Sequence, residues 1–225
     1  MHIEPGVVDG AKMDLACVTA ADGAGYAAKL AVDDLKSHNI ASFGLCSAIA
    51  ALGTFLFFEV LPHFPVGNSE VHFIPGTTLF LLMGAAPAAL CLAIGLLVQG
   101  LFFAPTDLAM YFVNVTSLLA PLLVIAGAAR RVIPAETAYV DLGYGDVLKL
   151  SVVYQGGVVG WGAFWAFYGQ GVGAETFQSV WTFALAYMLV VLIEPLADLG
   201  ALASAKALRW LENSGAVTRR LYSAA

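Results

Sequence analysis

The first two residues of the chain, Met1 and His2, have the chemistry of a metal chelate. The α-amine of Met1, the deprotonated amide of His2 and the imidazole of His2 can close two fused rings around one ion. A square-planar site made of nitrogen ligands is typical of Ni(II) or Cu(II). The segment HFPVGNSEVHFIPGTT supplies His63 and His72 as candidates for the fourth ligand. The alternative is that His2 is an ordinary second residue without a ligand role.

The elements that must position these residues are apolar helices. Of the 225 residues, 60% are hydrophobic and 12% are charged, and the mean hydropathy is +0.83. Charged residues alone approach a quarter of a soluble domain. The composition therefore predicts an all-α polytopic membrane protein, a single transmembrane domain over residues 1–225. The formal charge of −6 gives no reason to expect a nucleic-acid partner.

The beginning of the chain lacks the Lys/Arg-rich region that is typical of a cleaved signal peptide. We therefore expect the mature protein to begin at Met1. About seven apolar segments follow, each transmembrane or partly inserted in the bilayer. They cover residues 7–33, 41–61, 77–86, 87–104, 107–129, 146–169 and 178–204.

The stretch 77–104 is too long for one crossing of a ~30 Å hydrocarbon layer, and Gly84 and Pro87 interrupt it. If it forms a hairpin or two crossings, every Lys and Arg beyond Lys36 shares one side with Lys36. The positive-inside rule then predicts an outer amino terminus and a cytoplasmic carboxyl terminus in the inner (plasma) membrane. Lys12 is the one exception.

The first segment carries charged residues and a row of alanines at a spacing of four. Small residues at this spacing allow close approach of another helix. The row indicates either internal packing against a neighbouring helix or a docking face for a separate protein. Charges in such a segment should face other helices or a cavity rather than lipid. The row consists of Ala16, Ala20, Ala24 and Ala28.

Glu194 and Pro195 lie within the last segment. An ionisable group at membrane depth is a candidate for function. The structural alternative is that Pro195 frees a backbone carbonyl one turn earlier, to which a protonated Glu194 donates a hydrogen bond. Asn114 and Gln99 are neutral amides at similar depth, and we expect them to bond between helices.

Several strings in the first half of the chain resemble the CbiM/NikM family, the metal-binding membrane components of nickel and cobalt energy-coupling-factor transporters. MHIEPGVVDG is similar to the family's MHI-x-[ED]-G opening. FIPGTTLFLLMGAAPAALCLAIGLLVQGLFF, TDLAMYFVN and APL are similar to its PGTS-x-H-L, LL-Q-ALLF, T-x-LGAN-x-x-N-M and GP strings, in the same order. The resemblance covers about residues 1–125. It implies a seven-segment bundle with the amino-terminal helix plugged inward.

The resemblance also implies a ligand set: the Met1 amine, the amide and imidazole of His2, and a histidine after the PGTS string. The position aligned with that histidine is Phe80. His72 or His63 substitutes from the loop, or water or another donor completes the site, or the cargo differs. Five residues are expected in or around the pocket: Phe80, Thr77, Thr78, Asn114 and Glu4.

By this resemblance the chain is a transport subunit rather than an enzyme, and it captures nickel or cobalt as cargo with no permanently bound cofactor. The implied partners are a transmembrane coupling protein, cytoplasmic ABC ATPases and a small accessory membrane subunit. One alternative keeps the scaffold but binds a small organic molecule or a chelated metal in a pocket lined by Phe73, Phe80 and Tyr111. Another is a non-transporting accessory subunit of a membrane complex.

Overall fold

The computed structural model describes residues 3–37, 40–55, 64–66, 69–71 and 73–224. Two short antiparallel strands, β1 (Phe64–Val66) and β2 (Ser69–Val71), stand beside a helical bundle. The prediction of an all-α membrane fold is confirmed. The helices in chain order are α1 (Met13–Ser37), α2 (Ile40–Phe55), α3 (Gly76–Met83), α4 (Ala85–Phe102), α5 (Tyr111–Val132), α6 (Tyr144–Gln170), α7 (Ala174–Met188) and α8 (Val190–Ala207).

Within the described residues, three helical stretches are long and apolar enough to cross a membrane: Ala85–Phe102, Pro105–Val132 and Ala174–Ala207. The helix α2 is apolar but shorter. The third stretch contains both α7 and α8, which are separated only by Leu189. The predicted segment 178–204 therefore includes parts of two consecutive helices.

The bundle has two chemically different ends. Near the end of α6, the rings of Phe164, Trp165 and Tyr168 pack together, with centroids of Phe164 and Trp165 5.1 Å apart. We call this the aromatic end. At the other end, which we call the arginine end, α5 finishes near Arg130, and Arg220 lies 5.5 Å from the centroid of the Tyr139 ring.

The helices α5 and α6 run side by side between these ends. Gly157 packs directly against Pro121, and its missing side chain allows the two helices to approach closely. Nearer the aromatic end, the indole Nε1 of Trp161 donates a hydrogen bond to Oγ1 of Thr116 at 3.2 Å. The glycine-rich string of α6 thus packs partly inside the bundle, whereas Gly160 faces open space.

The chain turns at Gly84, between α3 and α4, rather than between the predicted segments 77–86 and 87–104. Gly84 has φ of 91°, a conformation that favours glycine. Pro87 lies in the first turn of α4, where no helical hydrogen bond is lost. Eight residues of helix span about 12 Å, so α3 enters the bundle without crossing a ~30 Å layer.

The start of α3 depends on a glycine. A Cβ atom at Gly76 would overlap the ring of Tyr154, which is completely buried. We expect Gly76→Ala to destabilise the fold by about 1–3 kcal/mol, because a buried ring must move. The midpoint of thermal unfolding in detergent should fall, while Gly160→Ala, with nothing within 4 Å of its Cβ, should leave it nearly unchanged. Equal midpoints would contradict this packing.

The helix α1 lies at the side of the bundle against α4 and α5. Ala16 is buried and Ala20 is half-buried, but Ala24 and Ala28 are exposed. The first half of the alanine row therefore packs internally. The second half lines a cleft of about 280 Å³ between α1 and α4. Asp22 on the same helix is exposed and lines another cleft, of about 300 Å³, between α1 and α5, so this charge faces a cavity as predicted.

Candidate functional site

The described part of the chain begins inside the bundle rather than on its surface. The backbone nitrogen of Ile3 donates a hydrogen bond to Oδ1 of Asn114 at 2.7 Å. Ile3 is 3% exposed and Asn114 is 1% exposed. Asn114 lies in the first turn of α5, so this bond holds the start of the described chain at the aromatic end. The predicted helix-to-helix bond of Asn114 is instead a bond to an extended segment.

A tight turn directs this segment into the bundle. The amide of Val7 donates to the carbonyl of Glu4 at 3.2 Å, and Gly6 has φ of 91°. Proline followed by glycine is typical of the central positions of a type II turn, and Pro5 precedes Gly6 here. Glu4 itself is exposed at the start of the turn. The EPGV string thus encodes the turn that folds residues 3–12, the amino-terminal segment, onto the bundle.

A second attachment lies at the end of α6. Val7 and Val8 are buried, and a Cβ atom at Gly169 would overlap the carbonyl of Val7. The ammonium of Lys12 donates to the carbonyl of Gly169 at 2.6 Å. Lys12, the exception to the topology prediction, therefore has a local partner near the aromatic end.

The space beside Asn114 is small. Asn114 and Tyr111 line a cavity of about 10 Å³, roughly the volume that one water molecule needs. The hydroxyl of Tyr111 donates to the carbonyl of Ala93 at 3.0 Å, so it is engaged in packing α5 against α4. A small-molecule pocket typically measures about 300–1,000 Å³. The cavity next to Asn114 is of a size for water or an ion.

Phe80 lies at the opposite end of α5 from Asn114. Its ring centroid is 6.0 Å from that of Tyr139, which lies beside Arg220. Burial raises the pKa of the Tyr139 hydroxyl, although Arg220 and Arg130 oppose this shift. The length of α5 from Asn114 to Arg130 is about 24 Å. The structure therefore does not bring Phe80 together with Asn114 or with Tyr111.

The two predicted threonines belong to another polar group. Thr77 is completely buried, and Thr78 donates a hydrogen bond to a carboxylate oxygen of Asp198. Sequence reasoning did not single out Asp198, although its position one turn after Glu194 was a usable signal. It also missed Gly169, for which the sequence offered no signal among 23 glycines.

Met1, His2, His63 and His72 lie outside the described residues. Within the described ranges, no group of three or more His, Cys, Asp or Glu side chains could hold a metal ion. The described part of the candidate site is therefore the anchoring of residues 3–12 by α5 and α6.

The fold defines a helical membrane protein whose amino-terminal segment packs against the start of α5 and the end of α6. The chain belongs to the CbiM family, the cobalt uptake substrate-specific transmembrane region, which matches residues 2–210. No curated protein and no solved structure shows a significant match. The family match confirms the resemblance and extends it beyond residues 1–125. It identifies the chain as a membrane component of cobalt uptake.

Proposed function

We propose that this chain is the substrate-binding membrane subunit of an energy-coupling-factor importer. It captures Co(II) or Ni(II) as cargo through the Met1 amine and the amide and imidazole of His2. The family match, which concerns cobalt uptake, supports the transport role. The proposal takes Met1 as the mature amino terminus, which the intact mass of the purified protein checks.

The observation that carries this proposal is the hydrogen bond from Ile3 to Asn114. The donor is the peptide nitrogen that directly follows His2 in the chain. Because that nitrogen is already fixed inside the bundle, closing the chelate rings costs less conformational entropy than it would for a free terminus. The small cavity beside Asn114 supports an ion as cargo over an organic molecule.

The fourth ligand in this proposal is His72 or His63. Ile74 is completely buried and its carbonyl accepts a hydrogen bond from Nε2 of Gln155 at 3.3 Å, which ties the segment after His72 to α6. Phe80 cannot supply a ligand atom. A site completed by His72 retains an all-nitrogen set, which suits Ni(II) in particular.

In this proposal the protein lies in the inner membrane of the cell. The aromatic end faces outward, and the arginine end faces the cytoplasm. A transmembrane coupling protein, cytoplasmic ABC ATPases and a small accessory membrane subunit complete the complex. The exposed Ala24 and Ala28, together with exposed Asp22, support α1 as a surface for the coupling protein. A charge at membrane depth favours contact with protein over lipid.

The first test is metal binding by detergent-purified protein with an untagged amino terminus. We expect Co(II) or Ni(II) to bind, and Asn114→Leu to weaken binding about 10–100-fold, as for loss of other outer-shell contacts. Gln99→Leu is the matched control, because Gln99 is also a buried amide of the bundle. Absence of binding by the unaltered protein, or equal binding by both variants, would overturn the proposal.

A further inference from the structure

A second polar site lies inside the bundle, at a distance from the amino-terminal segment. Glu194 and Asp198 stand one turn apart on α8, and both are completely buried. The hydroxyl of Ser151 donates to Oε2 of Glu194, and the hydroxyl of Thr78 donates to Oδ1 of Asp198. The other oxygen of the Asp198 carboxyl group, Oδ2, has no hydrogen-bond partner among the described residues.

Further oxygen atoms surround the pair. The side chains of Thr77 from α3 and Gln155 from α6 form hydrogen bonds with Glu194. The hydroxyl of Tyr154 lies over Gly76 at the start of α3, and electrostatically it interacts with Glu194. Tyr154 is completely buried, and its hydroxyl has no hydrogen-bond partner within the described chain.

Tyr187, close to the end of α7, repeats this arrangement. It is completely buried, interacts electrostatically with Glu194 and Tyr154, and has a hydroxyl without a partner in the described chain. Buried polar groups normally have a partner in the protein or in ordered solvent. Unpartnered oxygens from three helices that converge on two carboxyl groups indicate a bound species at their centre.

The charge of this cluster indicates what that species is. Among the described residues, no lysine or arginine forms an ion pair with Glu194 or Asp198. The start of α3 contributes roughly half a positive charge, which offsets only part of two carboxylates. Buried charges persist when they are paired or coordinate metals, and otherwise they are neutralised by protons.

We propose that Glu194 and Asp198, with the oxygens of Thr77, Gln155 and Tyr154, bind a divalent cation inside the bundle. Carboxylate and neutral oxygen ligands suit Mg²⁺ and comparable ions. Co²⁺ also fits such a site, since it follows Mn²⁺ in the general order of increasing affinity. Occupation by cargo Co²⁺ rests on the proposed function, in which this site receives the ion after the chelate. Occupation by Mg²⁺ is independent of the proposed function.

The experiment uses full-length protein in which the chelate is blocked by His2→Ala. Equilibrium dialysis against Co²⁺ and against Mg²⁺ measures the bound ion per chain. We expect one ion per chain, with affinity reduced about 100-fold or more by Glu194→Gln or Asp198→Asn, beyond the usual effect of an outer-shell contact. Glu175→Gln, an exposed carboxylate on α7, is the matched control and should bind normally.

The two ions separate the two sources of the cation. Co²⁺ binding that excess Mg²⁺ does not displace assigns the site to cargo, and displacement by Mg²⁺ assigns it to a resident cation. Absence of both ions from the His2→Ala protein overturns the proposal, because the carboxyl groups are then neutralised by protons. That result needs no Glu194 variant, so a folding defect does not obscure it.

The same measurement on protein with His2 intact tests the chelate separately. Binding present with His2 and absent without it supports the proposed function and contradicts the internal site. Binding that is the same with and without His2, and lost in Glu194→Gln, supports the internal site and contradicts the chelate.

Discussion

Replacing His2 by alanine in untagged protein is expected to lower the affinity for Co(II) or Ni(II) by more than about 100-fold. Loss of a residue that only supports a ligand lowers metal affinity by about 10–100-fold, and loss of a ligand itself should have a larger effect. The substitution removes the imidazole ligand, while a terminal amine remains. Because Ile3 carries the bond to Asn114, the bundle and the anchoring of the amino-terminal segment should be unaffected. Isothermal titration calorimetry measures the affinity, and the thermal unfolding midpoint checks the fold.

A complementary change keeps His2 and removes the free amine beside it. Three serines added ahead of Met1 should reduce affinity as strongly as His2→Ala, whereas three serines after Ala225 should have no effect. The amine, amide and imidazole all release protons on binding, so the affinity of unaltered protein should rise with pH. Full affinity in the amino-terminally extended protein would rule out the chelate and leave only donors that lie elsewhere in the chain.

The class of fold could be predicted from the sequence because hydropathy depends on composition and segment length alone. The turn at Gly84 was harder to locate, and the predicted segments 77–86 and 87–104 divide at Pro87 instead. A proline in the first turn of a helix costs no hydrogen bond, so it does not end the preceding helix. The glycine with positive φ ends α3 instead. Only the backbone conformation distinguishes these two residues.

The environment of the candidate site could be predicted only in part. MHIEPGVVDG contains the turn signal of Pro5 and Gly6, and the family string includes the segment that docks. The surface that receives this segment includes Asn114 and Gly169. Asn114 follows its partner Ile3 by 111 residues, and Gly169 follows its partner Lys12 by 157 residues. No local pattern encodes such a pairing.

The buried carboxyl pair illustrates a different difficulty. Glu194 is conspicuous as an acid in an apolar segment, and its neighbour Pro195 offers a structural explanation for it. The structure adds Thr78 and Ser151 from two other helices as donors to the pair. Those hydroxyls are ordinary in sequence, because serine and threonine are common in membrane helices and often bond to their own backbone. The grouping of these side chains from three helices therefore cannot be predicted by considering each segment of the sequence separately.

Replacing Gly169 by valine is expected to release the amino-terminal segment and weaken metal binding about 10–100-fold, by analogy with other contacts that orient metal ligands. The new side chain would occupy the position of the Val7 carbonyl, a backbone atom whose displacement must move the segment. The bond from Lys12 to the same residue would be strained or lost. Gly160→Val is the matched control, because its Cβ meets nothing within 4 Å in the same helix.

Two measurements on these variants distinguish a positioning role from general destabilisation. Hydrogen exchange should accelerate at the amides of residues 3–12 in Gly169→Val, while exchange in α5 stays slow. The thermal unfolding midpoints of Gly169→Val and Gly160→Val should be similar, because the affected segment precedes the eight helices and none of them needs to move to release it. If Gly169→Val lost affinity without faster exchange in this segment, positioning by Gly169 would be the wrong explanation. If exchange accelerated while affinity stayed unchanged, the chelate would not depend on the docked segment, and Ile3 and Asn114 would serve packing alone.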